Sequence, residues 1–209
     1  MKFEVVLPNE IEKRSFEIIT EILGDRTFSE LEDPIVKRVI HTTADFEYAD
    51  NLIFSENAVV EALAAIKEGS DIVTDTSMAQ SGINKKALSA FGGGTHCFIA
   101  DTDVAAEAVE RGVTRATVSM DKASRLEKPL IFAIGNAPTA LIRLHELIMQ
   151  NIVRPKLIIG VPVGFVNVVE SKELIQTAGV PYIVARGRKG GSNVAAAICN
   201  ALIYMAKNK

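Results

Sequence analysis

The chain has 209 residues, of which 48% are hydrophobic and 23% charged, with a formal net charge of −3. That balance suits a single domain with a sizeable core and excludes disordered, collagen-like and low-complexity classes. A slightly acidic chain also lacks the electrostatic basis for a dominant nucleic-acid role.

Two helical segments come first. Asn9 can cap a helix that runs to Leu23 and stops at Gly24. At about 100° per residue, Ile11, Ile18, Ile19, Ile22 and Leu23 share one apolar arc. Ser29-Glu30-Leu31-Glu32 has capping-box form and opens a second helix through about Thr43, with Pro34 near its first turn. Short apolar runs follow at Asn51–Phe54, Asp71–Thr74, His96–Ala100, Leu130–Ile134, Lys156–Val161 and Tyr182–Ala185. Helical patterns separate them, roughly at Asn57–Glu68, Asp103–Arg111, Ala137–Gln150, Val168–Thr177 and Ser192–Ala206. Alternating strands and helices imply βαβ units, and near-continuous apolar strands imply a parallel sheet covered on both faces. The expected architecture is a single three-layer α/β domain spanning 1–209, its sheet portion at about 50–207 and its N-terminal helices, at about 9–45, packed alongside.

Only two cysteines occur, Cys97 and Cys199, and neither belongs to a CxxC pair, so neither a disulfide framework nor a cysteine-built zinc site is expected. Met1-Lys2-Phe3-Glu4 leads into mixed polar residues without the apolar core of a secretory signal. The longest greasy stretch, Leu157 to Val166, is broken by glycine and proline and is about half a membrane span. A cytoplasmic protein is expected, with no membrane and no nucleic acid among its partners.

In open parallel sheets, ligands gather where strands end and helix N-termini point. Strand Leu130–Ile134 runs into Gly135-Asn136-Ala137-Pro138-Thr139, Lys156–Val161 into Pro162-Val163-Gly164-Phe165, and Asp71–Thr74 into Asp75-Thr76-Ser77-Met78. Most informative is Arg186-Gly187-Arg188-Lys189-Gly190-Gly191-Ser192, where three cations in four residues precede two glycines and a capping serine. It reads either as a charged surface turn with a glycine hinge or as a receptor for an anionic ligand. It has neither Walker nor GxGxxG spacing.

On the first helix Ser15 falls inside the apolar arc, about 40° from Ile11. Its hydroxyl either bonds back to the Ile11 carbonyl or meets a ligand. On the second helix His41 lies off the apolar stripe of Ile35, Val36, Val39 and Ile40, sharing a polar face with Arg38 and Asp45. It is either a solvated surface residue or an acid–base group, the side chain suited to exchanging a proton near neutral pH. His96 beside Cys97 makes a poor metal pair, because adjacent strand residues face opposite ways. His145 reads as a surface or interface residue. HExxH, GxSxG and paired Cys/His spacings are absent from the sequence, which disfavours zinc and hydrolase chemistry.

Several blocks in fixed order resemble the precorrin-8X methylmutase family. They are Arg38-Val39-Ile40-His41, Phe54-Ser55, Ile72-Val73-Thr74-Asp75, Gly82-Ile83, Thr114-Arg115, Ile134 to Leu141, Gly160 to Val166, Glu170-Ser171-Lys172 and Gly187 to Ser192. The likeness runs from Ser15-Phe16 to Asn200-Ala201-Leu202. Ala116, Asn193 and Asn84 depart from the family's usual residues. The resemblance implies a flavodoxin-like fold, a homodimer, no dissociable cofactor and no metal. It also implies an isomerase of cobalamin biosynthesis that moves a methyl group between neighbouring carbons on ring C of a corrinoid. By the same likeness, His41 matches the family's catalytic histidine, Ser15 its substrate-contacting serine, and Arg38 and Arg115 its arginines.

Such a substrate is a flat apolar ring fringed with carboxylates, so its pocket should pair apolar walls with cations at the rim. Val163, Phe165 and Ile83 are the expected walls; Arg38, Arg115, Arg186, Arg188 and Lys189 the expected rim. A non-catalytic corrinoid carrier and a flavin or nucleotide protein stand as alternatives.

Overall fold

The structure, a computed structural model, describes residues 4–208; Met1, Lys2 and Phe3, which head the stretch read as carrying no signal, lie outside it, as does Lys209. α1 (Ile11–Leu23) starts after the expected Asn9 cap. The Glu10 N–H instead closes a turn onto the Leu7 carbonyl at 2.8 Å, which places Asn9 inside that turn. Gly24 ends the helix as expected, with φ 59° and its N–H on Thr20. α2 (Asp33–Thr43) is preceded by a turn, and it is this turn that Ser29 caps, its Oγ accepting from Glu32 N–H at 3.2 Å.

The remaining elements are α3 (Tyr48–Asn51), β1 (Leu52–Phe54), α4 (Ala58–Lys67), β2 (Asp71–Thr74), α5 (Ser77–Gly82), α6 (Lys85–Ser89) and β3 (Thr95–His96). They continue with α7 (Thr102–Arg111), α8 (Arg115–Ala123), β4 (Leu130–Ile134), α9 (Pro138–Met149), β5 (Leu157–Gly160), α10 (Val168–Ile175), β6 (Tyr182–Ala185) and α11 (Ser192–Asn208).

The strands form one sheet in the order β1-β6-β5-β4-β2-β3. Five run parallel, and their order, with a single reversal between β2 and β4, is the flavodoxin-like doubly wound arrangement. Two details differ from the sequence reading. β1 pairs antiparallel with β6, Leu52 opposite Ala185, so the sheet carries one reversed edge strand. The expected strand His96–Ala100 shrinks to Thr95–His96, because β2 ends at Thr74 and offers partners only at Ile72 and Val73.

Strand side chains alternate between two cores. Ile131, Ala133, Ile159 and Ile183 face α4 and α11, while Phe132, Ile134 and Ile158 face α8, α9 and α10. α11 is apolar almost all round: Ala195, Ala196, Ile198, Cys199, Leu202 and Ile203 are all buried. Such a helix must be covered on every side, and α11 is, by the sheet beneath it and α2 above. α2 and α1 therefore form an outer layer beyond the usual three. Among the described residues no helix is long and apolar enough to cross a membrane.

Candidate functional site

The reversal point of the sheet lies between β2 and β4, where a doubly wound fold exposes free N–H groups to an anionic ligand. Here a residue of the chain fills that position. The Asp75 carboxylate, just past β2, accepts from the N–H groups of Gly135, Asn136 and Ala137 at 2.9, 2.8 and 2.7 Å. It is 1% exposed. Burial pushes its carboxyl up, against the pull of the three donors. A phosphate cannot occupy the same N–H groups, which argues against the flavin or nucleotide alternative.

The basic loop after β6 is fixed from several directions. Gly191 N–H donates to Val161 O at 2.9 Å and Gly164 N–H to Arg188 O at 3.2 Å. Gly190 lies so close to the loop after β5 that a Cβ there would meet Val161 O at 2.1 Å, so only glycine fits. Lys189 Nζ pairs with Asp45 at 2.5 Å and Glu47 at 3.0 Å, which ties this loop to the chain just beyond α2. Lys189 holds the Asp45 carboxyl below its usual range. Asp45 is thus engaged by Lys189 and Arg38 by Glu12, so neither neighbour of His41 on the polar face is left to act on it alone.

His41 sits in the last turn of α2, exposed, with its ring 5.3 Å from that of Phe16 on α1. Ser15, Ile18, Ile19, Ile22, Ile40, His41, Ala44 and Phe46 line one open hollow of about 250 Å³ between the two helices. Two residues from separate helices, singled out for different reasons, are thereby brought together. Ser15 Oγ donates to the Ile11 carbonyl at 2.9 Å and keeps its lone pairs for another donor. The floor is greasy and part of the rim is uncovered apolar surface: Ile18 is 37% and Ile22 60% exposed. Arg38, one turn before His41, also packs on Phe16, its guanidinium 4.8 Å from that ring and 5.5 Å from Tyr204.

A larger groove of about 930 Å³, lined in part by Phe16 and Arg38, opens between α1, α2 and α11. Its lining carries four carboxylates, Glu17, Glu21, Glu30 and Asp33, against the cations Lys13, Lys37 and Arg38. That sign is wrong for a polyanion. The hollow beside His41 has no carboxylate in its lining.

The other expected residues are spread more widely. Arg115 opens α8 in the helix layer on the opposite face of the sheet from α2, with Thr114 bonded to Thr139 at 2.8 Å at the start of α9. Arg186 and Arg188 are exposed, and Arg188 lies 5.9 Å above the ring of Phe165, itself 84% exposed. Val163 is accessible beside it. Ile83 is a correction: it is 4% exposed within the core under α11 and cannot wall a pocket. His96 bonds Asp71 at 2.8 Å and His145 bonds Thr177 at 3.2 Å. Among the described residues no three His, Cys, Asp or Glu are placed to hold a metal ion.

Sequence reasoning missed Phe16, Asp75 and Lys172. Phe16 links His41 to Arg38 and gave no signal beyond its type. Asp75 stood directly after a strand, the position where a polar residue meets the reversal point. Lys172 falls about 40° from Val168 on the buried arc of α10, so its helical angle alone marked a cation aimed inward.

The precorrin-8X methylmutase family profile matches residues 10–205. A cobalt-precorrin-8 methylmutase of Priestia megaterium is 46% identical, covering 96% of this chain and 89% of its own. One from Salmonella typhimurium is 47% identical, covering 94% and 95%. The crystal structure of a precorrin-8x methyl mutase from Thermus thermophilus superposes with a TM-score of 0.87 at 42% identity, covering 95% and 98%.

Proposed function

The chain belongs to the precorrin-8X methylmutase family, isomerases of cobalamin biosynthesis, and from that premise we propose that His41 is its acid–base group, working on a corrinoid held against the α1–α2 hollow. The substrate is precorrin-8X or its cobalt form, and the product is hydrogenobyrinate or cobyrinate. The observation that carries the reading is the meeting of Ser15 and His41 over an apolar floor without carboxylates.

Migration of a methyl group between adjacent ring carbons needs electron redistribution but no external nucleophile. The His41 imidazolium gives a proton to a ring nitrogen, which draws electron density away from ring C as the carbon–methyl bond breaks and re-forms next door. The same nitrogen returns the proton once the rearranged π system is in place. Ser15 hydrogen-bonds the macrocycle, and Arg38, Arg115 and Lys189 anchor its carboxylates. Proton transfer supplies roughly 10²–10⁴-fold, so holding the ring in a reactive shape supplies much of the remainder.

The hollow of about 250 Å³ falls below the roughly 300–1,000 Å³ usual for a pocket that encloses a ligand. A corrinoid therefore needs further walls. A homodimer would provide them, covering Ile11, Ile18 and Ile22 and offering a route by which Arg115, on the far helix layer, serves a neighbouring copy's site. Sedimentation of the purified protein tests the dimer, and a monomer at assay concentration would remove it.

The decisive experiment adds the yellow precursor to purified protein and follows the absorbance. Conversion to the rearranged chromophore on a catalytic timescale supports the enzyme, and stoichiometric binding without conversion supports the carrier. His41→Ala with near-normal turnover would remove the histidine from the mechanism.

A further inference from the structure

Lys172, on α10, is 1% exposed, and neither ion pair nor hydrogen bond joins it to a carboxylate among the described residues. Its Nζ donates to two backbone carbonyls of the basic loop, Gly187 O and Lys189 O, each at 2.8 Å. Burial lowers the ammonium to about 8. A cation kept inside at that cost, with only loop carbonyls as partners, has the loop's conformation as its visible product.

The geometry of the peptide unit extends the argument. In a trans peptide the C=O of one residue and the N–H of the next point in opposite directions. Carbonyls 187 and 189 turn inward to Lys172, so the N–H groups of Arg188 and Gly190 point away from it. Neither donates to a protein acceptor among the described residues. The loop's remaining contacts hold this shape from other sides: Gly164 on Arg188 O, Val161 on Gly191 N–H, and Asp45 with Glu47 on the Lys189 ammonium. Two amides pointing away from Lys172 stand among the side chains of Arg186, Arg188 and Lys189, a set of donors of the kind that takes a carboxylate.

We propose that Lys172 is a positioning residue for substrate binding, drawing two carbonyls inward so that the N–H groups of Arg188 and Gly190 receive a peripheral carboxylate of the macrocycle. The inference rests on the corrinoid reading above and adds to it a specific receptor and its support.

The probe is hydrogenobyrinic acid, titrated by absorbance, beside the same macrocycle with its carboxylates converted to amides. In Lys172→Met the acid should bind about tenfold or more weakly, as expected for losing charge-assisted anchoring, while the amidated ring binds within about twofold of wild type. With the true substrate KM should rise while kcat stays within about threefold, and Lys172→Arg should recover part of the loss. Unchanged binding of the acid, or equal weakening of both ligands, overturns the proposal. A measurement on the unmodified protein covers the case of a variant that does not fold. Adding hydrogenobyrinic acid should shift the amide resonances of Arg188 and Gly190. Binding with both amides silent overturns this inference alone, whereas absence of any binding to the wild type overturns the corrinoid reading and this inference with it.

Discussion

Ile131, Phe132, Ile134, Ile158 and Ile159 in the sheet are all at or below 1% exposure, enclosed by helices on both faces. On α1 the same kind of apolar patterning meets another fate: Ile19 and Leu23 are 7% exposed, but Ile11 and Ile22 are 54% and 60% exposed. The sheet uses its apolar residues as a closed core. α1 buries one edge of its stripe against α2 and leaves the other edge open beside Ser15 and His41. A periodic stripe thus reports that a face is apolar, not what covers it, and an uncovered stripe next to an imidazole is where a flat apolar ligand or a second copy can be received.

The comparison predicts opposite phenotypes for the two regions. His41→Ala in the outer layer should lower kcat by roughly 10²–10⁴-fold. That equals about 3–5 kcal/mol of barrier. Because the side chain is exposed, the melting temperature should stay within a few degrees. A large fall in stability would show that His41 belongs to the packing, and the distinction between regions would fail. Asp75→Ala in the sheet region should do the reverse. It strands the N–H groups of Gly135, Asn136 and Ala137, the first buried and the others part-buried, and urea denaturation should reveal a loss of about 3 kcal/mol. A stable, fully folded Asp75→Ala protein would mean that water or a bound anion replaces the carboxylate.

How much of this was legible depended on what each pattern requires. β2, β4 and β6 stand where the apolar runs placed them, since a strand buried on both faces reads as a largely apolar run, confined in β2 to Ile72 and Val73 between Asp71 and Thr74. The helices α5, α6 and α8 were not read, though each carries a side-chain cap: Thr76 accepts from Ala79 N–H, Asn84 from Ala87 and Thr114 from Thr117. They are short and largely polar, so capping was their strongest trace and the apolar periodicity was too brief to show. In the candidate site, Ser15 was visible as a hydroxyl inside an apolar arc and His41 as an imidazole on a polar face. Their meeting was not, because it depends on how α1 leans on α2. The clamp of Lys172 on the basic loop was hidden for the same reason: it joins carbonyls, which carry no sequence signature.

A smaller contrast can be drawn within α1 alone. Leu23→Ala removes a buried side chain and should cost about 2–3 kcal/mol in denaturant. Ile22→Ala, one residue earlier and mostly exposed, should stay within about 0.5 kcal/mol of wild type yet weaken corrinoid binding or self-association. Equal stability losses at the two positions would mean that the outer edge of the stripe is core after all. Loss of neither binding nor association at Ile22 would leave that edge without a role.

A last contrast sets the β2–β3 side of the sheet against the side that carries the basic loop. Asp71 opens β2, next to the edge strand β3 and away from the basic loop, is 7% exposed, and accepts from Gly94 N–H at 2.7 Å, His96 Nε2 at 2.8 Å and Lys128 Nζ at 3.2 Å. Burial alone would raise its carboxyl, but His96, the Gly94 N–H and Lys128 together bring it below the ordinary value. A carboxyl depressed in the folded state stabilises the fold above its unfolded pKa of about 3.9 and loses that contribution as pH falls through the lower folded value. Asp71→Asn should therefore be about 1–2 kcal/mol less stable than wild type at pH 6, with the gap closing below about pH 4. Corrinoid affinity at pH 7 should not change, because the substitution lies at the strand end opposite the site. A gap that persisted undiminished at pH 2 would show that the carboxylate's charge is not what holds this side, and a loss of affinity would show that the two sides are coupled through β2.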